Sequence, residues 1–358
     1  MIAARIAKRF PPRTDSAGFT LEIEFQAGAG VTALFGASGA GKTLTLEAIA
    51  GFTRPDAGRI LLDDQILFDA ASRVNLRPQQ RNCGYVFQNY ALFPHMTLRQ
   101  NLVFAADRQP RLERHRRVNE MLERFHLTDA AGRRPHEVSG GQKQRCSIAR
   151  ALIGSPRLLL LDEPARGLDA PLRAELYSLL CEVRLDFQIP ILLVTHDLDE
   201  CFELAEEMLI LRDGRIVQSG APRKILEQPA SVEVARLVGI ANLFEAEITA
   251  LDPGRNTSRL RFQDREVTGT YFPGHLLGDR VWLCVRAEEL RVARHNGARP
   301  EPNQVPAKLL RVSEKPQSVR LEFSGDIAVE VPRQEFERQK DNKEWLVEFP
   351  ADALRVLS

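Results

Sequence analysis

"VTALFGASGAGKTLTLEAIAG", residues 31–51, opens as a short apolar run, passes through Gly36, Gly39 and Gly41, and closes as a helix-forming stretch. A continuous apolar run ending in glycine reads as a buried parallel strand. Strand, glycine loop and helix form the context in which G-x-x-x-x-G-K-[ST] holds phosphate, and residues 36–43 fit that pattern in full. Glycine lets the backbone wrap an anion with its N–H groups turned inward, and the helix N-terminus adds partial positive charge. The expected nucleotide-binding residues are therefore Gly36, Ala37, Ser38, Gly39, Ala40, Gly41, Lys42 and Thr43, together with Thr45. Lys42 is expected to reach the β- and γ-phosphates of ATP, and the Thr43 hydroxyl to meet Mg²⁺.

Two further apolar runs, "LLLLDEP" (158–164) and "ILLVTHD" (191–197), read as buried strands of the same kind. Between them Leu176, Leu179, Leu180, Val183 and Phe187 recur at helical spacing, and Pro171 stands near the first turn. Strand, helix, strand in this order is a parallel βαβ unit. Each strand ends in chemistry. Asp162 is placed to hold the Mg²⁺ shell with Thr43, and Glu163 to polarise a water for in-line attack. His196 is placed to donate a hydrogen bond to the γ-phosphate. Gln88, after the apolar stretch before it, brings an amide within reach of the metal or the water.

"VSGGQKQRCSIARAL" (138–152) is a second phosphate-type loop. Ser139, Gly140, Gly141 and Gln142 lead a helix, which again points a helix N-terminus at an anion. One chain with one nucleotide does not need both loops.

The totals narrow the setting. The chain has 358 residues, a length that suggests two domains, and 49 basic against 48 acidic residues. That balance gives no support to nucleic-acid coating or to a polycationic membrane surface. No apolar run approaches the ~20 residues of a membrane span, and the start carries no secretory signal. The cysteines, Cys83, Cys146, Cys181, Cys201 and Cys284, are odd in number and form no C-x-x-C pair, so free thiols in a reducing cytosol are expected. After Leu237 the periodicity changes to two. "SVRLEF" places Val319, Leu321 and Phe323 on one face, "IAVEV" does so with Ile327, Val329 and Val331, and "WLVEF" with Trp345, Val347 and Phe349. Alternation with turn residues between predicts a small antiparallel β-barrel over 238–358, following an α/β domain over 1–237.

In their order, these elements resemble the ATP-binding subunit of an ABC transporter: the phosphate loop at 36–43, Gln88, SGGQ at 139–142, the Asp162–Glu163 strand end, Asp169 and His196. The resemblance implies an α/β P-loop NTPase domain with a helical subdomain at about 89–155. It implies two copies packed head to tail, each SGGQ loop closing on the other copy's γ-phosphate, with Asp169 in the loop that communicates across them. It also implies an aromatic ring from early in the chain on the adenine, for which Phe10 is the candidate. Two departures stand out. Val138 replaces the usual leucine, and "ARGLDA" brings Arg166 and Gly167 where the family has Ser-Ala-Leu-Asp.

The C-terminal β domain is similar to the TOBE/mop type of importers, and "VRAEELRVA" (285–293) and "YALFPHMTLRQNL" (90–102) resemble the same group. The segment 63–81 and "FGASGAGKT" resemble the molybdate branch. The implied function is ATP hydrolysis for molybdate or a related oxyanion; sulfate, ferric iron, polyamine or sugar importers are the alternatives, and an exporter fits the β domain less well. The implied partners are permease subunits in the membrane and, through them, an extracytoplasmic substrate-binding protein, with no nucleic acid. The implied place is the cytoplasmic face of the inner membrane. The corresponding oxyanion stretch of such β domains falls on "PEPNQVPAKLL" (300–310), where Asn303 is kept but Pro300 and Pro302 replace donors; Ser313, Lys315 and Ser318 are possible substitutes.

Overall fold

The computed structural model describes residues 1–12, 18–107, 110–295, 300–340, 342 and 344–357, without the side chains of residues 111 and 112. The chain divides into two compact units, Met1–Glu227 and Gln228–Ser358. The division falls earlier than the periodicity change suggests. The intervening helix Val232–Leu237 buries Val232, Val234 and Ala235 and sets Arg236 over the Trp282 ring at 5.5 Å, so it packs with the second unit.

The first unit is built on a six-stranded sheet in the order Arg215–Gly220, Glu207–Arg212, Gly30–Phe35, Pro190–Thr195, Leu158–Asp162, Cys83–Val86. All neighbours are parallel except the first pair. The expected buried strands are buried on both faces: every residue of Leu158–Asp162 and of Pro190–Thr195 is buried. Their side chains divide by parity. Leu159, Leu161, Ile191 and Leu193 join one apolar core; Leu158, Leu160, Leu192 and Val194 join another. Alternate residues of a strand point to opposite faces, so a run of leucines feeds two cores at once.

One core takes in the helical part: Leu98–Ala105, Arg111–Arg124 and Gly140–Leu152 contribute Leu98, Leu102, Val118, Leu122, Ile148 and Leu152. The other holds the helix Lys42–Ala50 and an antiparallel sheet ordered Phe19–Ala27, Ile2–Phe10, Ala57–Leu62, Gln65–Asp69, Val74–Asn75. The C-terminal end of Lys42–Ala50 is closed by a fully buried cation. The Arg81 guanidinium donates to the carbonyls of Ala48 at 2.8 Å and Ile49 at 2.7 Å, and to Leu76 and Asn75 oxygens. A cation on the last carbonyls opposes the negative end of the helix dipole. Gly51 at φ 88° leaves room for it, since a Cβ there would lie 2.6 Å from Arg81 Nε.

The second unit is all antiparallel apart from short helices. A five-stranded sheet (Arg265–Thr270, Thr257–Phe262, Asn242–Asp252, Arg280–Val285, Arg355–Leu357) and two three-stranded sheets surround one core. Val319, Leu321, Phe323, Val329, Val331, Trp345, Val347 and Phe349 all lie in it, as the period-two reading predicts. The aromatic centre includes Phe244 stacked on Phe262 with centroids 4.9 Å apart.

Candidate nucleotide site

Sheet register brings the chemistry to one place. Phe35 pairs with Thr195, and Val194 pairs with Asp162. The next residues, Gly36, His196 and Glu163, therefore leave adjacent strands at the same carboxyl edge. Ligands of open α/β sheets bind at that edge.

The phosphate loop needs its glycines for two separate reasons. Gly41 is the N-cap of Lys42–Ala50 at φ 105°, a left-handed conformation that costs other residues strain. At Gly36 a Cβ would collide with the Leu211 carbonyl oxygen at 2.2 Å. The Lys42 ammonium is folded back into the loop, donating to the Gly36 carbonyl at 2.7 Å and the Ala37 carbonyl at 3.0 Å. Only 6% of Lys42 is accessible, and burial pulls its pKa below the usual lysine value, against the raising influence of Glu163 and Asp162. Beside the loop is a cleft of about 360 Å³ lined by Ser38, Gly39, Lys42, Thr43, Gln88 and Glu163, and also by Phe19 and Arg166.

Asp162 is buried, and burial pushes its carboxyl pKa up. Two donors oppose that shift: the Thr43 hydroxyl at 3.0 Å from Oδ1 and the Tyr85 hydroxyl at 3.3 Å from Oδ2. Thr43 and Asp162, two of the expected Mg²⁺ ligands, thus present an adjacent hydroxyl and carboxylate. No group of three His, Cys, Asp or Glu able to cage a metal exists among the described residues. Mg²⁺ needs no such cage, because it keeps waters and shares phosphate oxygens, so this oxygen pair fits it.

Glu163 has a left-handed backbone, φ 46°, and its side chain is held from both sides. His196 Nδ1 lies 3.2 Å from Oε1, and Arg166 Nη1 donates to Oε2 at 2.8 Å. The Gln88 carboxamide is 3.4 Å from Oε2. Its satisfied orientation turns the oxygen to Arg166, accepting from Nη1 and, at 3.1 Å, from Nε.

Ser139 caps the helix Gly140–Leu152. Its hydroxyl accepts from Gln142 N–H at 3.2 Å, and the Gln142 side chain returns to Ser139 N–H at 3.1 Å, a reciprocal capping box. Gly141 is packed so closely on Leu172 that a Cβ would lie 2.9 Å from Leu172 Cδ2. Asp169 in turn caps Ala170–Phe187, accepting from Leu172 N–H at 3.0 Å. Ser139, Gly140, Gly141 and Gln142 are not among the residues lining the Lys42 cleft.

The family profile described as "ABC transporter" matches residues 20–166. The molybdenum import ATP-binding protein ModC of Paramagnetospirillum magneticum is 36% identical over 278 residues, covering 77% of this chain and 76% of that protein. The chain belongs to the ABC transporter ATP-binding subunits. ModC of Rhodospirillum rubrum is 46% identical over 209 residues, which span 58% of this chain and little more than half, 56%, of that relative's length. The spermidine/putrescine import ATP-binding protein PotA of Nitratidesulfovibrio vulgaris is 40% identical over 287 residues, 78% of this chain and 74% of that protein. Among solved structures, the dimeric ATP-binding cassette MJ0796 bound to ADP and Pi aligns at TM-score 0.54 and 25% identity, covering 62% of this chain and 99% of that one.

Within this ABC subunit, two expected residues stand elsewhere. Thr45 is fully buried, its hydroxyl turned back to the Gly41 carbonyl at 2.9 Å, and it does not line the cleft. Its place as the fourth residue of the helix Lys42–Ala50 turns it inward. Phe10 ends its strand 39% exposed, under the Lys8 ammonium at 5.6 Å, and the cleft is lined instead by its cross-strand partner Phe19. A reading of single residues cannot tell which of two paired aromatics faces the loop. Arg166 is the other residue that motif reading left without a role. In the second unit Asn303 spends its whole amide on backbone: it accepts from Thr268 N–H at 2.6 Å and donates to the Thr268 and Phe349 carbonyls. Lys315 and Ser318 both bind Glu330. Among the described residues no helix is long and apolar enough to cross a membrane.

Proposed function

We propose that this chain is the ATP-hydrolysing subunit of an importer for molybdate or a related oxyanion, working as two copies that close head to tail on two ATP molecules. The observation that carries the ATPase reading is the convergence of Lys42, Thr43–Asp162 and Glu163–His196 at one sheet edge. Lys42 exchanges the Gly36 and Ala37 carbonyls for phosphate oxygens, a buried cation trading weak acceptors for strong ones. Thr43 and Asp162 would hold Mg²⁺, which supplies charge neutralisation at the phosphate oxygens, while Gln88 stands beside them with its oxygen on Arg166. Glu163 takes the proton of the attacking water as its oxygen bonds the γ-phosphorus and the bond to the β–γ bridging oxygen breaks. His196, beside Glu163, would donate a ring N–H to the γ-phosphate.

The capped N-terminus at Ser139 lies outside the Lys42 cleft of its own chain. That placement supports its use on the partner copy's nucleotide, and the dimeric form of the solved cassette supports the same arrangement. The Phe19 ring is the better placed of the two aromatics to meet adenine. Permease subunits dock, on this reading, on the stretch after Gln88, which places the chain peripherally at the cytoplasmic face of the membrane.

Molybdate is favoured by the two ModC relatives and by the sequence likeness of residues 63–81; the PotA relatives support a polyamine as the second reading. Titration of the cognate extracytoplasmic binding protein with molybdate, tungstate, sulfate and spermidine separates them. Tight molybdate binding is expected; spermidine binding with no oxyanion response would replace this assignment.

A further inference from the structure

Arg166 occupies a position set by local backbone geometry. Arg166 N–H returns to the Glu163 carbonyl at 3.2 Å and Leu168 N–H to Ala165 at 3.2 Å, and Gly167 takes φ 76° in open space. These consecutive turns fold the loop back on itself, so the side chain three residues after Glu163 lies over Glu163. The guanidinium donates Nη1 to Glu163 Oε2 at 2.8 Å and meets the Gln88 oxygen through Nη1 and Nε. It also borders the Lys42 cleft and a smaller cavity of about 120 Å³ that His196, Arg173 and Glu200 share.

We propose that Arg166 is a positioning residue that fixes the Glu163 carboxylate and the Gln88 amide for hydrolysis. The proposal rests on the reading of Glu163 as the base. Glu163 follows Asp162 directly, and two neighbouring carboxylates repel. Held only through Oε1 by His196, the carboxylate would be free to turn about that contact. A second anchor on Oε2 fixes its plane, and misplacement of a reacting group by about 1 Å can cost ~10²-fold in rate. A planar guanidinium with several donors can serve Glu163 and Gln88 together; an ammonium matches that geometry less well. As a stabilising device the pair counts for little, because the Arg166 side chain is 59% exposed and such pairs are screened. Its effect therefore belongs to turnover, not to melting.

The test uses the full chain, with steady-state ATPase kinetics, equilibrium binding of a fluorescent ATP analogue, and thermal unfolding. Arg166→Ala is expected to lower kcat by about tenfold, with KM and analogue affinity within about twofold and the melting temperature unchanged. Arg166→Lys should recover part of kcat. Adding Arg166→Ala to Glu163→Gln should lower kcat by much less than the tenfold seen in the wild-type chain, since most of its effect runs through Glu163. Wild-type kcat in Arg166→Ala, a loss confined to KM, or a full additional loss in the double variant would each overturn the proposal while Glu163→Gln itself remains slow. A Glu163→Gln chain as fast as wild type would overturn the base assignment beneath it, which is a separate and distinguishable failure.

Discussion

The Thr43 hydroxyl donates to Asp162 Oδ1 at 3.0 Å, joining the helix that follows the phosphate loop to the end of a strand 119 residues later. This bond holds an oxygen pair together where a nucleotide-borne cation would enter. Asp162→Asn keeps the shape and removes the charge. It is expected to abolish Mg²⁺-dependent turnover by about two orders of magnitude or more, while the chain stays folded. Turnover measured against Mg²⁺ concentration checks this, and an unchanged Mg²⁺ dependence would contradict it.

Lys42 should be indispensable for nucleotide. Its ammonium already sits among loop carbonyls at 2.7 and 3.0 Å, and no other lysine lines the cleft. Lys42→Ala is expected to cut ATP affinity or turnover by at least about 100-fold, read by equilibrium binding and steady-state hydrolysis. Near-normal hydrolysis in a folded variant would remove the phosphate-loop assignment.

Ser139 is expected to act on the partner copy. Mixing Ser139→Ala with Lys42→Ala chains places both lesions in one composite site and leaves the other intact. Nucleotide occlusion above that of either variant alone is the expected result. A crosslink from position 139 to the partner's phosphate loop distinguishes strict coupling of the sites from an arrangement within one chain.

Much of this was legible in sequence because each motif is short and local. Gly36–Thr43 carries its own strand and helix, and the Leu158–Leu161 run announces burial on both faces. What escaped was decided by pairing and by backbone turns. Phe10 and Phe19 are equally aromatic and stand opposite each other, and only the sheet shows which borders the cleft. Thr45 has the right chemistry on the wrong side of its helix. Arg166 looked like a departure from the family's loop, and its partners become visible only when that loop turns back. Asn303 kept the family's residue type, yet its amide is consumed by Thr268 and Phe349.

That use of Asn303 makes two expectations. Asn303→Ala leaves backbone groups of two segments without partners and should destabilise the second unit by about 2–3 kcal/mol, measured by denaturant unfolding of residues 228–358. The same fragment, titrated calorimetrically with molybdate and tungstate, should show no micromolar site, because Lys315 and Ser318 are already held by Glu330. A micromolar site would overturn that reading and would strengthen the oxyanion assignment for the whole chain.

Glu200 predicts a pH dependence. It is 2% exposed, and burial raises its carboxyl pKa from 4.5 to about 7, with Asp197 and Glu163 adding to the rise and Thr195 and Arg173 opposing it. Between those values the folded chain holds a proton that the unfolded chain has released. Stability should therefore fall as pH rises through that window, by roughly 3 kcal/mol in total. Glu200→Gln should flatten the curve, raising stability at pH 8 more than at pH 5. Parallel curves for the two chains would contradict it.

The most direct measurement is the oligomeric state of the Glu163→Gln chain in ATP and Mg²⁺, followed by size-exclusion chromatography with light scattering and analysis of the bound nucleotide. With the water-activating carboxylate neutralised, the chain should bind ATP, hydrolyse it slowly and elute as a dimer holding unhydrolysed ATP. A variant that remains monomeric and turns over ATP at the wild-type rate would contradict the account.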